Sequence, residues 1–154
     1  MAAGAALFGA GAVAGFTPHA GQDMPAGGVS LLDFGARGDG RTDDAPALRR
    51  ALSENRGGTV FAPSRAAGYV LGSQIDMPAR TRLVFLAGSN QLVFCRNRGA
   101  AFALRDAAQI DGGDYRGSGG TAPCFLLPEG TGQQRLSNIV AVEGREAWSA
   151  ESRS

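Results

Sequence analysis

Residues Val29 to Leu52, VSLLDFGARGDGRTDDAPALRRAL, constrain the fold more than any other stretch. A short apolar strand runs into a loop carrying Gly35, Gly38 and Gly40. Arg41, then Thr42, Asp43 and Asp44, and a helix follow. Without a Cβ, these glycines admit positive φ at no steric cost. Asp39-Gly40 is a strong turn dipeptide, because the Asp side chain bonds its own neighbouring backbone. Thr42, Asp43 and Asp44 are all competent helix N-caps, and the carboxylates suit the positive end of the helix. Pro46 fits only in a first turn, which places the cap at Asp43 or Asp44. The helix is expected over residues 44–55. Ala45, Leu48 and Leu52 fall on one narrow face, with Arg49 and Arg50 away from it. Asn55 and Gly57-Gly58 supply the stop signal.

The adjacent carboxylates Asp43 and Asp44 have two readings. Paired acids can serve acid/base chemistry or hold calcium. However, neighbouring residues on a helix do not face each other, and a helix N-terminus holds both as anions. The structural reading is the one adopted, and Asp33, Asp39 and Asp111 are read the same way.

Beyond Glu54 the chain becomes a series of short apolar runs separated by turn residues. They lie at residues 58–63, 68–71, 75–78, 82–87, 91–95, 101–104, 109–111, 114–116, 124–127 and 137–143. Runs such as LVFLA are expected to be buried on both faces or packed under the helix. Strands this short cannot bury a face alone, whereas stacked coils cover one another. The 24 glycines follow no collagen period, so they suit a chain that bends repeatedly.

The order Asp33, Phe34, Gly35, Ala36, then Gly38, Asp39, Gly40, then Thr42, Asp43, Asp44 and a helix resembles the opening of the pectate-lyase-like superfamily, in its rhamnogalacturonase/epimerase-like N-terminal form. Gly58 to Pro63 followed by Gly68-Tyr69-Val70-Leu71 continues the resemblance. Ile110 to Gly117 resembles an early Gly-Gly rung of polysaccharide-active members. Ser137 to Gly144 resembles the next rung, with Asn138 at a bend where it can bond the backbone. The resemblance implies an all-β solenoid over residues 29–144: a right-handed parallel β-helix with an N-terminal capping α-helix. Family members run through many more coils. The chain therefore reads as the N-terminal part of a longer protein or the product of an interrupted gene, with residues 145–154 a polar tail.

For function, the resemblance implies part of an exported polysaccharide lyase or glycoside hydrolase-like protein, inactive by itself. The alternative is a structural or carbohydrate-binding module, such as a trimeric tailspike or a surface adhesin. The family's catalytic signatures are missing from the sequence. The only histidine is His19 and there is no lysine, so base candidates reduce to Asp, Glu, Tyr and Arg. Asp106, Asp111 and Asp114 lie on the early coils, where their spacing can bring two to one face, although Gly112-Gly113 suits a turn. Arg96, Arg98, Arg105 and Arg116 can contact acidic sugars or stand as solvated loop charge. Tyr69, Tyr115 and Trp148 can stack on sugar rings or simply pack. No catalytic or substrate-binding residue, metal site or cofactor is assigned.

With 15 basic and 14 acidic residues, the charge balance argues against a nucleic-acid partner or a polybasic membrane patch. All-arginine basic residues with abundant Ala and Gly suggest a GC-rich bacterial genome. Residues 1–16, MAAGAALFGAGAVAGF, resemble the hydrophobic region of an export signal and are short for a membrane span. Residues 1–24 are thus expected to be a truncated export signal or a disordered tail, joined by a link at 25–28. Export would place the protein in the periplasm or outside the cell. Cys95 and Cys124 are too few for a disulfide scaffold and are read as small interior hydrophobes, their pairing left open.

Overall fold

The computed structural model describes residues 26–117, 124–127, 132–142 and 148–150. The expectations for residues 1–24, for Pro25 and for most of residues 143–154 lie outside the described residues.

The chain opens with β1 (Gly28–Ser30), a 3₁₀ turn (Leu31–Phe34) and α1 (Ala45–Glu54). Strands β2 (Thr59–Ala62), β3 (Tyr69–Leu71) and β4 (Ile75–Met77) follow. Next come β5 (Arg82–Phe85), β6 (Leu92–Cys95) and β7 (Phe102–Leu104). Then come β8 (Gln109–Asp111), β9 (Asp114–Gly117) and β10 (Phe125–Leu127). The last are β11 (Arg135–Ser137), β12 (Val140–Val142) and β13 (Trp148–Ala150).

These strands form three sheets among the described residues. The first is ordered β1-β2-β5-β8-β11, the second β3-β6-β9-β12 and the third β4-β7-β10-β13. All their pairings are parallel. From β2 onward the chain visits the three sheets in turn and then returns, so each strand lies on the one three strands earlier. Parallel neighbours require a long crossover. Here the other two sheets supply it, giving a β-helix-like coil with one helix.

The opening segment is a modified first coil. β1 takes the place in the first sheet, pairing with β2. Asp43 forms a parallel bridge to Val70 and so stands where the second sheet would have its strand. α1 then packs against β4, on the third sheet. A ten-residue helix is marginal in isolation. This one is held by its apolar face: Ala45, Leu48, Ala51 and Leu52 are buried in one cluster with Leu31 and β4, while Arg49 and Arg50 are exposed. The helix thus spans nearly the expected range and buries the expected face.

Inside, equivalent positions stack from coil to coil. Val60, Leu83 and Ile110 are in register and fully buried. So are Ile75, Phe102 and Phe125. Phe102 and Phe125 stack at 5.8 Å, and Tyr115 meets Phe125 edge-on at 4.8 Å.

Two strand expectations need correction. Residues 137–143 form no single strand. Asn138 adopts φ 53, which turns the chain between β11 and β12. The expected polar tail contains β13, whose register on β10 supplies backbone partners to a segment with no strand pattern of its own.

A recurring corner precedes the first sheet. Gly57, Arg80, Ala107 and Gln133 lie two residues before Thr59, Arg82, Gln109 and Arg135, and all have positive φ (79, 58, 55 and 60). The Arg80 N–H donates to the Asp106 carbonyl and the Ala107 N–H to that of Gly132, both at 2.9 Å, so the corners lock together.

Candidate functional site

The launch loop holds its acids by main-chain hydrogen bonds. Asp44 is 1% exposed. Its Oδ1 accepts from Arg37 N–H at 2.7 Å, and its Oδ2 accepts from Gly38 and Val70 N–H at 3.2 and 3.3 Å. Burial pushes this carboxyl above the usual carboxylate range, against the pull of those amides. Asp44 occupies the N-cap position of α1, but its side chain makes no cap bond there. The cap position is the expected one, but the loop's amides capture the Asp44 carboxylate, and the side-chain bond to the first helical amide comes from Asp43. Asp43 Oδ1 instead serves the Ala45 N–H at 3.0 Å and the Gly72 N–H at 2.9 Å. Asp39 accepts from Thr42 N–H, Thr42 Oγ1 and Arg41 N–H, which hold its pKa down at about 2. At Gly40 a Cβ would lie 2.6 Å from the Ala67 carbonyl oxygen, so the close approach demands glycine. These acids organise the loop, and Asp33 is exposed.

The coil carboxylates are also engaged. Asp111 Oδ1 accepts from Asn138 Nδ2 at 2.7 Å, and its Oδ2 lies 3.4 Å from the Arg82 guanidinium. The expected bond from Asn138 to the backbone is therefore replaced by one to a carboxylate on the preceding coil. Asp114 pairs with Arg116 at 2.8 Å. Gly112 and Gly113, at φ 92 and 113, turn the chain between these two acids. Asp106 Oδ1 accepts from the Gly132 N–H at 3.0 Å. The three acids thus serve separate bonds.

The buried tyrosines pack. The Tyr69 hydroxyl donates to the Pro63 carbonyl at 2.7 Å, and that of Tyr115 to the Gly112 carbonyl at 3.0 Å. Burial raises both hydroxyl pKa values. The side chain of Trp148 lies outside the described residues. Cys95 and Cys124 are buried and free. The two thiols act on each other: Cys95 holds Cys124 down at about 7, while Cys124 and burial push Cys95 up. Among the described residues no group of His, Cys, Asp and Glu converges to hold a metal. No described helix is long and apolar enough to cross a membrane.

An open groove of about 440 Å³ lies beside the end of α1, lined by Arg56, Asp76, Met77, Pro78, Ala79 and Arg105. Its charged groups are placed by pinned backbone. Asn55 caps α1 and donates to the Ala51 carbonyl, and the Gly57 N–H donates to Thr81 Oγ1 at 2.9 Å. Arg56 is held between them. Asp76 points outward from β4 between buried Ile75 and Met77. The Arg105 N–H donates to the Met77 carbonyl at 3.2 Å, which sets Arg105 next to Pro78. All three charged side chains are exposed, and none has a hydrogen-bond or ion-pair partner among the described residues. Of the arginines singled out in the sequence, Arg105 reaches this groove. Arg96 binds the Gly40 carbonyl, Arg98 stands exposed, and Arg116 pairs with Asp114. Arg56 and Asp76 were not singled out. The apolar-polar-apolar triplet Ile75-Asp76-Met77 was the available signal for an outward carboxylate.

No family model matches the sequence. Over 70 residues the chain is 34% identical to the tail spike protein of Shigella phage Sf6, a match covering 42% of this chain and 11% of that protein. The solved structure of Geobacillus virus E2 ORF18 superposes with a TM-score of 0.59 at 22% identity, covering 71% of this chain and 24% of that one. The chain therefore spans only a minor part of either protein's length. The structural likeness carries the fold. With its three stacked parallel sheets, the chain is β-helix-like in architecture and similar over part of its length to a phage tail spike.

Proposed function

We propose that the chain is a tailspike-like module: a right-handed parallel β-helix segment that helps present a surface to a bacterial polysaccharide within a trimeric assembly. The observation that carries this reading is the sequence similarity to a tail spike protein in a chain whose strands coil through three parallel sheets. The launch motif's resemblance to the pectate-lyase-like superfamily is compatible with it, since that resemblance also implies a capped parallel coil. Cleavage of a glycosidic bond needs two oriented acid/base groups. Asp111 and Asp114 are each committed to a neighbour, so the described coils support binding better than cleavage.

The test is direct. Light scattering of the purified chain should report a trimer, and bacterial surface polysaccharides should retain it in pull-down without losing chain length. A monomer that binds no polysaccharide would defeat the proposal. Release of reducing ends or unsaturated uronate by the chain itself would favour the enzyme reading instead.

A further inference from the structure

We propose that Cys95 and Cys124 are an oxidative cross-linking site, where a peroxide converts the two thiols into a disulfide that staples one coil to the next. The inference does not depend on the polysaccharide-binding reading above.

An interior cysteine that only fills space needs no particular partner. These two share one corner of the coil, where the chain passes from the second sheet to the third. Cys95 ends β6 on its inward face, buried like Val93. Beyond it the chain folds back on itself, because Asn97 Nδ2 donates to the Gly99 and Ala100 carbonyls at 2.8 and 2.7 Å. Cys124 stands at the same corner one coil later. It lies directly before β10, and its carbonyl accepts from the Ala101 and Phe102 N–H groups at 3.0 Å. The in-register neighbour of Cys95 on that next coil is Gly117, which has no side chain and leaves room there. Both cysteines belong to the one core cluster. Each thiol alters the acidity of the other, and both act on the buried Tyr115 hydroxyl, effects that need proximity.

The chemistry follows from the difference between the two thiols. Cys124 is held down at about 7, so it supplies the nucleophilic thiolate, while Cys95 stays protonated. At 5% and 6% exposure neither admits a bulky oxidant, but hydrogen peroxide is small and uncharged. The Cys124 sulfur attacks one peroxide oxygen and the O–O bond breaks. The departing hydroxide takes up the proton the thiol lost and becomes water, leaving a sulfenic acid. The Cys95 sulfur then attacks the Cys124 sulfur and the S–O bond breaks. The hydroxyl leaves as a second water with the Cys95 proton. Two thiols and one peroxide thus give one disulfide and two waters, with two electrons passed from sulfur to peroxide.

The experiment treats the folded full chain with hydrogen peroxide, then counts thiols in denaturant and maps the peptides. These are the chain's two cysteines, so both readouts report on this site alone. Both thiols should disappear, a peptide pair joined through Cys95 and Cys124 should appear, and dithiothreitol should restore both. The bond closes the chain between positions 95 and 124, so the thermal midpoint of the oxidised chain should rise by at least about 5 °C and fall back on reduction. In Cys95→Ser, a dimedone probe should trap the sulfenic acid on Cys124; in Cys124→Ser, Cys95 should stay unlabelled. The wild-type readouts stand even if a variant fails to fold. Two surviving thiols, a cross-link between separate chains, or cysteines carried on to sulfonic acid would overturn the proposal. Labelling of Cys95 in Cys124→Ser without labelling of Cys124 in Cys95→Ser would overturn the assigned roles.

Discussion

The recurring left-handed corner yields a prediction of unusual sign: Ala107→Gly should stabilise the protein. Ala107 sits at φ 55, where its Cβ crowds the backbone. An L-residue in this region costs roughly 1–2 kcal/mol relative to glycine. Against that stands the larger conformational entropy glycine loses on folding, about 0.4–1 kcal/mol. Ala107 is half-buried, so little packing is lost with its methyl group. The balance favours glycine by about 0.5–1 kcal/mol. Its neighbour supplies the control. Ala108 is fully buried and has negative φ, so Ala108→Gly carries the entropy cost and loses a packed methyl group with no strain to relieve. It should destabilise by about 1–2 kcal/mol.

Urea denaturation followed by circular dichroism measures both. The midpoint should rise for Ala107→Gly and fall for Ala108→Gly, with unchanged slopes. If Ala107→Gly destabilises as much as Ala108→Gly, the corner is not strained and the argument fails. Arg80→Gly and Gln133→Gly repeat the test at the equivalent places on neighbouring coils.

Three further outcomes are expected. Asp44→Ala leaves three amides, two of them buried, without their acceptor, and after relief of the carboxylate's burial cost should lose about 2–4 kcal/mol in the same urea assay. Leu48→Asp should cost several kcal/mol, about 2–5 for the lost core side chain plus a penalty for the buried charge; a near-wild-type midpoint would mean that α1 does not close the coil as described. Asp39 has a folded pKa of about 2, below its usual 3.8, so its stabilising contribution is present above pH 3.8 and fades as pH falls through about 2. Asp39→Asn should therefore flatten the stability profile in that window, and an unchanged acid slope would count against the Thr42 and Arg41 bonds as its cause.

The coil was legible because its inward positions are apolar and its turns are punctuated. Most expected strands are found within a residue or two of their place, and the helix face of Ala45, Leu48 and Leu52 is buried as read. The corners were less legible. Gly57 announces a left-handed position, but Arg80, Ala107 and Gln133 carry no such signal. They are held there by interlocking backbone bonds between coils, a property of the stack that no single residue encodes. Gln91 and Thr81 likewise carry no signal of their burial. Both are polar by type, yet both are buried: Gln91 bonds the N–H and carbonyl of Arg65, and Thr81 accepts from Gly57.

The candidate groove escaped sequence reading for a related reason. Its charged members come from the end of α1, from β4 and from the residue after β7, positions that become neighbours only when coils stack. Core positions reveal themselves because burial restricts them to apolar types with a period. Outward positions have no such restriction, so an arginine that binds and an arginine that is merely solvated look alike in a sequence. What separates Arg105 from Arg116 is the company each keeps after folding. Arg116 meets Asp114 on its own strand at 2.8 Å and is committed. Arg105 faces a groove whose other guanidinium arrives from 49 positions earlier in the chain, by the numbering of Arg56 and Arg105, and its charge stays available.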